Sequence, residues 1–214
     1  MNKTMTTSAM TDKQIERAVE IFRAQLRKHA SGLPSDAVQK VFGQTEFGKE
    51  LITVLRKRLE MFLVLAPRGL EEITLTEHHD PNLFYNNRPG LFVWNDFCSR
   101  IVVQAKPSKA GTTFKVNAAE LMRDLIDEEI EVALPKDHLF DETSVCAVIA
   151  GLIAKQPNGE KGALVNNGRA NLFYTCSCVV SVYWDAVGRE WRVGTWQRDG
   201  GRWLAGRRAF SPAN

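Results

Sequence analysis

Cys176-Ser177-Cys178 is the densest grouping of reactive side chains in the chain. On a strand, alternate residues point to one face, so both sulfurs would stand on the same side and begin a metal site. Zinc sites usually space paired cysteines more widely and need further ligands, and the candidates, His138 and the His78-His79 pair, are remote in sequence. The competing reading makes both cysteines small apolar residues on a core-facing strand. Cys146 lies in an apolar run beside Val145 and Val148, where burial raises a thiol pKa and leaves it inert. Cys98, near Asp96 and Arg100, has no local histidine and no glycine-flanked turn, so a Cys–His nucleophile there would have to draw on His79 or His138.

Other groupings reduce to ordinary surfaces. His78-His79-Asp80 offers imidazoles and a carboxylate, but neighbours on a strand face opposite ways, and a solvated turn leading into Asp80-Pro81 is the expectation. Asp124, Asp127, Glu128, Glu129 and Glu131 would suit paired-carboxylate or divalent-cation chemistry, with Asp127 and Glu131 on one helical face. A solvated face with acids in the first helical turn is the simpler reading. Gly159, Gly162 and Gly168 follow a helix and precede no Gly-Lys-Ser/Thr, so they form no phosphate cradle, and no Gly-x-Ser-x-Gly or EF-hand loop is present.

The C-terminal quarter has a different vocabulary. Trp184, Trp191, Trp196 and Trp203 interleave with Arg189, Arg192, Arg198, Arg202, Arg207 and Arg208, the pairing of rings and guanidinium groups used by single-strand nucleic-acid platforms. Strand parity puts Arg192, Trp196 and Arg198 on one face and Trp191, Val193 and Thr195 on the other. The plainer reading is a sheet with one packed face and one solvated by arginine stems. Residues 186–214 carry six basic and two acidic groups, residues 120–142 two and nine, and residues 1–70 twelve and seven. The basic C-terminal face therefore either meets an acidic partner or is neutralised on the chain's own acidic middle.

These groups must be placed by a modest set of elements. Residues 1–10 read as a disordered leader. Thr11-Asp12-Lys13-Gln14 is a capping box ahead of Ile15, Ala18, Val19, Phe22 and Leu26 at helical spacing. Ser35 caps a short turn, Phe47, Leu51, Leu55, Leu59 and Phe62 mark a longer helix, and residues 11–66 read as a helical hairpin ending at Pro67. Residues 67–140 are mixed. Within 91–105, strand and helix fit equally well. Asp141 caps a helix with Val145, Val148, Ile149, Leu152 and Ile153 on one face. Beyond Gly168 the period becomes two, over Asn171–Cys176, Val179–Trp184, Trp191–Trp196 and Trp203–Phe210, with Asp199-Gly200 the sharpest hairpin signal.

Gly111-Thr112-Thr113-Phe114-Lys115, Pro135-Lys136-Asp137-His138-Leu139-Phe140, the run from Val145 to Pro157, Asn171-Leu172-Phe173-Tyr174 and Phe210-Ser211-Pro212-Ala213 resemble segments of uncharacterised bacterial proteins from small-genome lineages. The resemblance spans residues 90–214. It implies a bacterial, cytoplasmic setting, no activity and no site residues.

The 214 residues are 44% apolar and 25% charged with a net charge of +3, the composition of an ordinary globular chain. An apolar signal region, a membrane-length run and a lipidation motif are all absent from the sequence, so free thiols and a cytoplasmic location are expected. The expected fold is α+β: an N-terminal helical hairpin, a mixed middle region, and a C-terminal helix packed on a three- or four-stranded antiparallel meander over 141–214. The expected function is a binding module without cofactor. It would use Arg192, Trp196, Arg198, Arg202 and Arg207 on the sheet face, with single-stranded nucleic acid or an acidic protein as partner and no membrane. The alternative is a Cys- or metal-dependent enzyme at Cys176/Cys178, or at Cys98 with a histidine.

Overall fold

The structure, a computed structural model, describes residues 11–29, 32–60, 63–198 and 201–213. The expected leader and the Asp199-Gly200 hairpin signal lie outside them. Contacts divide the chain into two units, Met1–Leu63 and Val64–Asn214.

The first unit contains α1 (Asp12–His29), α2 (Ser35–Phe42) and α3 (Thr45–Glu60). The capping box forms as the spacing predicts: Gln14 N donates to Thr11 Oγ1 at 3.3 Å and Thr11 N donates to Gln14 Oε1 at 2.9 Å. Pro34, not Ser35, holds the N-cap position of α2. Neither α1 nor α2 buries a residue. Ile15, Val19 and Phe22 of the predicted stripe are 47%, 48% and 40% exposed.

The second unit is built on β1 (Leu65–Thr74), α4 (Pro81–Phe84), β2 (Leu91–Val93), α5 (Asn95–Phe97), β3 (Thr113–Leu121), β4 (Leu125–Ile126), α6 (Asp127–Ala133), α7 (Glu142–Lys155), β5 (Asn171–Tyr174), β6 (Val179–Asp185), β7 (Glu190–Trp196), β8 (Arg202–Trp203) and β9 (Arg208–Pro212). The ambiguous stretch 91–105 is a short strand followed by a helix, with α5 running on into a π-helical turn at Cys98–Val102. No helix among the described residues is long and apolar enough to cross a membrane.

The class is α+β, with a sheet larger than a three- or four-stranded meander. Seven strands run in the order β1-β3-β9-β5-β6-β7-β2, and β4 and β8 form a separate ribbon. Only β5-β6-β7 follows meander order. β9 crosses back to lie between β3 and β5, antiparallel to the first and parallel to the second, while β2 adds in parallel to the β7 edge. Residues 67–140 and 141–214 therefore share one sheet. Alternation within a strand specifies which side chains face together but not which strand lies alongside, so this part of the topology left no local signal.

Asp141 caps α7 as its position predicts, with Oδ1 accepting from Thr143 N and Ser144 N at 2.9 Å each. One cluster of buried residues joins Val145, Val148, Ile149 and Leu152 of α7 with Val180 and Val182 of β6, Trp191 and Val193 of β7, and Phe173 of β5. A second cluster joins Leu172 and Tyr174 of β5 with Leu125, Ile130, Val179, Trp203 and Ala209. All four residues of β5 are buried, the pattern of a strand covered on both faces. That double covering carries Tyr174 under α6, where the candidate site lies. The turn after α7 depends on Gly159, whose φ of +70° and contact with the Trp184 indole leave no room for a Cβ.

Candidate functional site

The site starts from a buried carboxylate. Asp127, the first residue of α6, is 3% exposed. Its Oδ1 accepts from Tyr174 Oη at 2.8 Å and from Trp203 Nε1 at 2.6 Å. A tyrosine and a tryptophan brought inside by their rings need partners for their polar ends, and this one oxygen serves both. Oδ2 is buried with no hydrogen-bond partner among the described residues. Burial, followed by the charge of Asp127 and the bond to it, pushes the Tyr174 phenol well above the usual tyrosine range, so it stays a donor.

One turn along α6, Glu131 meets Arg198 in a forked pair, Nε to Oε1 at 3.0 Å and Nη2 to Oε2. Arg198 Nη1 also donates to the carbonyls of Thr175 (2.9 Å) and Cys176 (3.2 Å), fastening the β5–β6 turn to α6. The Glu131 hydrogen bond comes first among the causes that raise the Arg198 pKa. His138 places Nδ1 2.8 Å from the Pro135 carbonyl and Nε2 3.5 Å from Glu131 Oε2. A cleft of about 890 Å³ opens beside these groups, lined among others by Asp127, Glu128, Glu131, Cys176, Ser177 and Arg198. Three carboxylates face one guanidinium, and that guanidinium is already spent on Glu131.

The expected solvated acidic face is therefore corrected for two of its members: Asp127 is buried and Glu131 is locked in an ion pair. Glu129 keeps a local role. Its carboxylate holds Arg123 and accepts from Ile126 N, and these two bonds lower its pKa, that from Arg123 most.

The five residues assigned to the Arg/Trp face divide into separate settings. Arg192 is paired with Asp185 at 2.7 Å and Glu190 at 3.1 Å on its own hairpin, and lies over Phe92. Arg198 belongs to Glu131. Arg207 lies 5.2 Å over the Trp203 ring, with Nε and Nη1 buried and without hydrogen-bond partners, and burial ahead of Arg169 lowers its pKa. Trp196, 60% exposed, stands edge-on to Trp203, and Arg202 is exposed on the β4–β8 ribbon. Parity within β7 holds: Trp191, Val193 and Thr195 are buried while Trp196 is displayed.

The cysteines are separated as well. β5 stops at Tyr174, so the alternation rule does not reach Cys176 and Cys178. In the turn, Cys176 is exposed, whereas Cys178 is buried against Thr175, whose Oγ1 donates to the Cys178 carbonyl at 3.0 Å. No group of three or more His, Cys, Asp or Glu among the described residues stands ready to hold a metal ion. The Cys98 Sγ contacts the Tyr85 carbonyl at 3.9 Å, and burial, then Asp96, raises its pKa, the reverse of nucleophile activation. Cys146 is fully buried in α7, and burial raises its thiol pKa far out of the working range. His79 is not a solvated turn residue: it is 7% exposed, packed edge-on to Phe84 and Tyr85, and burial lowers its pKa.

Asp127, Tyr174 and Trp203 were missed as a unit. The available hint was an aromatic pair with polar ends, each on a core-facing strand position and each needing a buried acceptor. Compared with protein-family models, curated proteins and solved structures, the chain finds no match.

Proposed function

We propose that the protein is a binding module whose ligand carries a cationic N–H donor, an alkylammonium or guanidinium group, seated in the cleft beside Asp127 and Glu128. The observation that carries the reading is the Asp127 Oδ2 atom: a carboxylate oxygen in a residue 97% buried, without a partner, on a residue that lines an open cleft. Leaving such an atom unsatisfied costs about 1–3 kcal/mol or more. It has no exposed surface of its own, so a ligand N–H donor reaches it as the Asp127 side chain turns toward the cleft, recovering that cost as a charge-assisted bond. The excess of carboxylates over guanidinium groups selects the sign of the ligand. Arg198 and Glu131 act as the rigid wall, since their fork ties α6 to the β5–β6 turn.

The test is calorimetric titration with spermidine and with an arginine-rich peptide. Asp127→Asn keeps the acceptor for Tyr174 and Trp203 and removes the charge, and is expected to weaken binding roughly 10- to 100-fold. Binding should also weaken as salt rises. Absence of binding by the wild-type protein, or equal binding by Asp127→Asn, would refute the reading. The anion-contacting alternative, with single-stranded nucleic acid or an acidic protein, keeps Trp196 and Arg202 as exposed contacts, because Arg192 and Arg198 already hold the chain's own carboxylates and Arg207 is half-buried over Trp203. Titration with a mixed oligonucleotide at low salt discriminates: steep salt-dependent binding that Trp196→Ala abolishes would favour that alternative.

A further inference from the structure

A second pocket, about 260 Å³, lies between β1, the C-terminal end of α7, the loop 160–164 and β9, and owes nothing to the cleft. Its loop is built, not merely placed. Gln156, 2% exposed, donates Nε2 to the carbonyls of Glu160 (2.5 Å) and Leu164 (3.1 Å) and accepts from Leu164 N at 2.9 Å. The loop so fixed turns the carbonyls of Gly162 (2.9 Å) and Ala163 onto Nη1 of Arg208. Neutral acceptors thus orient this guanidinium, while its Nε is buried with no hydrogen-bond partner.

The charges around the pocket do not balance. Arg68 is paired with Glu120 at 2.9 Å. Lys155 donates to the Glu72 carbonyl at 2.8 Å and stands 3.8 Å from Glu71. Arg208 and Lys161 line the pocket together with Glu71, and among the described residues the ion pairs around it are those of Arg68 and Lys155, with no carboxylate in contact with Arg208 or Lys161. Burial lowers the Arg208 pKa and Arg68 adds to the effect, while Glu120 and Glu71 oppose it. Arg208 thus feels Glu120 and Glu71 at a distance but has no carboxylate in direct contact, and a half-buried guanidinium held only by carbonyls is a poor arrangement for stability alone. It is a good one for holding an anion.

We propose that this pocket binds a phosphate-type dianion between Arg208 and Lys161, either free phosphate or the terminal group of a phosphomonoester. Two cations without a directly contacting carboxylate match the charge of the dianion, and four basic side chains line the pocket against the one carboxylate of Glu71. The volume suits a small tetrahedral anion, and the guanidinium is already oriented by the Gly162 and Ala163 carbonyls. The exposed Lys161 supplies a second contact that can be altered without touching the core.

The test is calorimetric titration of the whole chain with inorganic phosphate and, separately, with glycerol phosphate, at ionic strength held constant with sodium chloride. Saturable one-to-one binding is expected, and Lys161→Glu should weaken it by about tenfold or more while the circular dichroism spectrum stays that of the wild type. Phosphate binding more tightly than the ester assigns the pocket to the free anion, and the reverse assigns it to a phosphomonoester. Asp127→Asn should leave the titration unchanged, which separates this pocket from the cleft. Failure of both anions to bind below about 10 mM, or unchanged affinity in Lys161→Glu, overturns the proposal.

Discussion

Replacing Asp127 by alanine strips a single acceptor from two buried donors, Tyr174 Oη and Trp203 Nε1. Each orphaned donor costs about 1–3 kcal/mol, so the gross loss is about 2–6 kcal/mol. The same substitution also deletes the unpartnered Oδ2, whose desolvation penalty is of similar size to one donor, so the net loss should fall near the worth of one donor, about 1–3 kcal/mol. Urea denaturation followed by tryptophan fluorescence measures it as a shift of midpoint at constant slope. A cycle with Tyr174→Phe locates the cause. Phe removes the orphaned hydroxyl, so in the alanine background it should be nearly neutral or stabilising, whereas in the wild type it should cost about 1–2 kcal/mol. A loss below about 0.5 kcal/mol for Asp127→Ala, or additive single changes, would show that this carboxylate does not tie α6 to β5 and β8.

Two further outcomes follow from burial. Ile149, fully buried in α7 among Val180, Val182 and Trp191, should cost about 2–5 kcal/mol when truncated to alanine, read from urea midpoints, and a loss under about 1 kcal/mol would show that the helix face is not in the core. His79 has its pKa lowered below 6.5, first by burial, with Asp80 opposing and His78 adding, so the unfolded chain takes up this proton before the folded one. The His79 contribution is therefore complete above about pH 6.5 and lost as pH falls through the folded value, and His79→Gln should flatten melting temperature against pH in that window. An unchanged slope in the variant would assign the acid sensitivity elsewhere.

The charge asymmetry finds its resolution at named contacts. The basic C-terminal stretch meets the acidic middle through Arg198 and Glu131, and Ala205 N donates to Asp124 Oδ1 at 2.9 Å. Arg192 is neutralised closer to home, by Asp185 and Glu190. The composition of each stretch was plain, but whether the two stretches met was a question of folding.

Local physics was readable from the chain alone. The Thr11/Gln14 box, the Asp141 cap and the parity of β7 each depend on residues within one or two turns or on alternate positions along one strand, and each appears where spacing put it. The single apolar face expected of α7 is corrected to burial nearly all round, with Cys146, Ala147 and Ala150 also inside. The placement of β9 between β3 and β5, the burial of Asp127, and the forked pair at the cleft were decided by tertiary structure. Their partners lie far apart in sequence: Tyr174 is 47 residues from Asp127, Trp203 is 76, and Arg198 is 67 from Glu131. Covering β5 on both faces is what brings them together, because a strand buried on both sides must send alternate side chains into two different cores, and the polar end of Tyr174 then needs an acceptor that no neighbour in sequence provides.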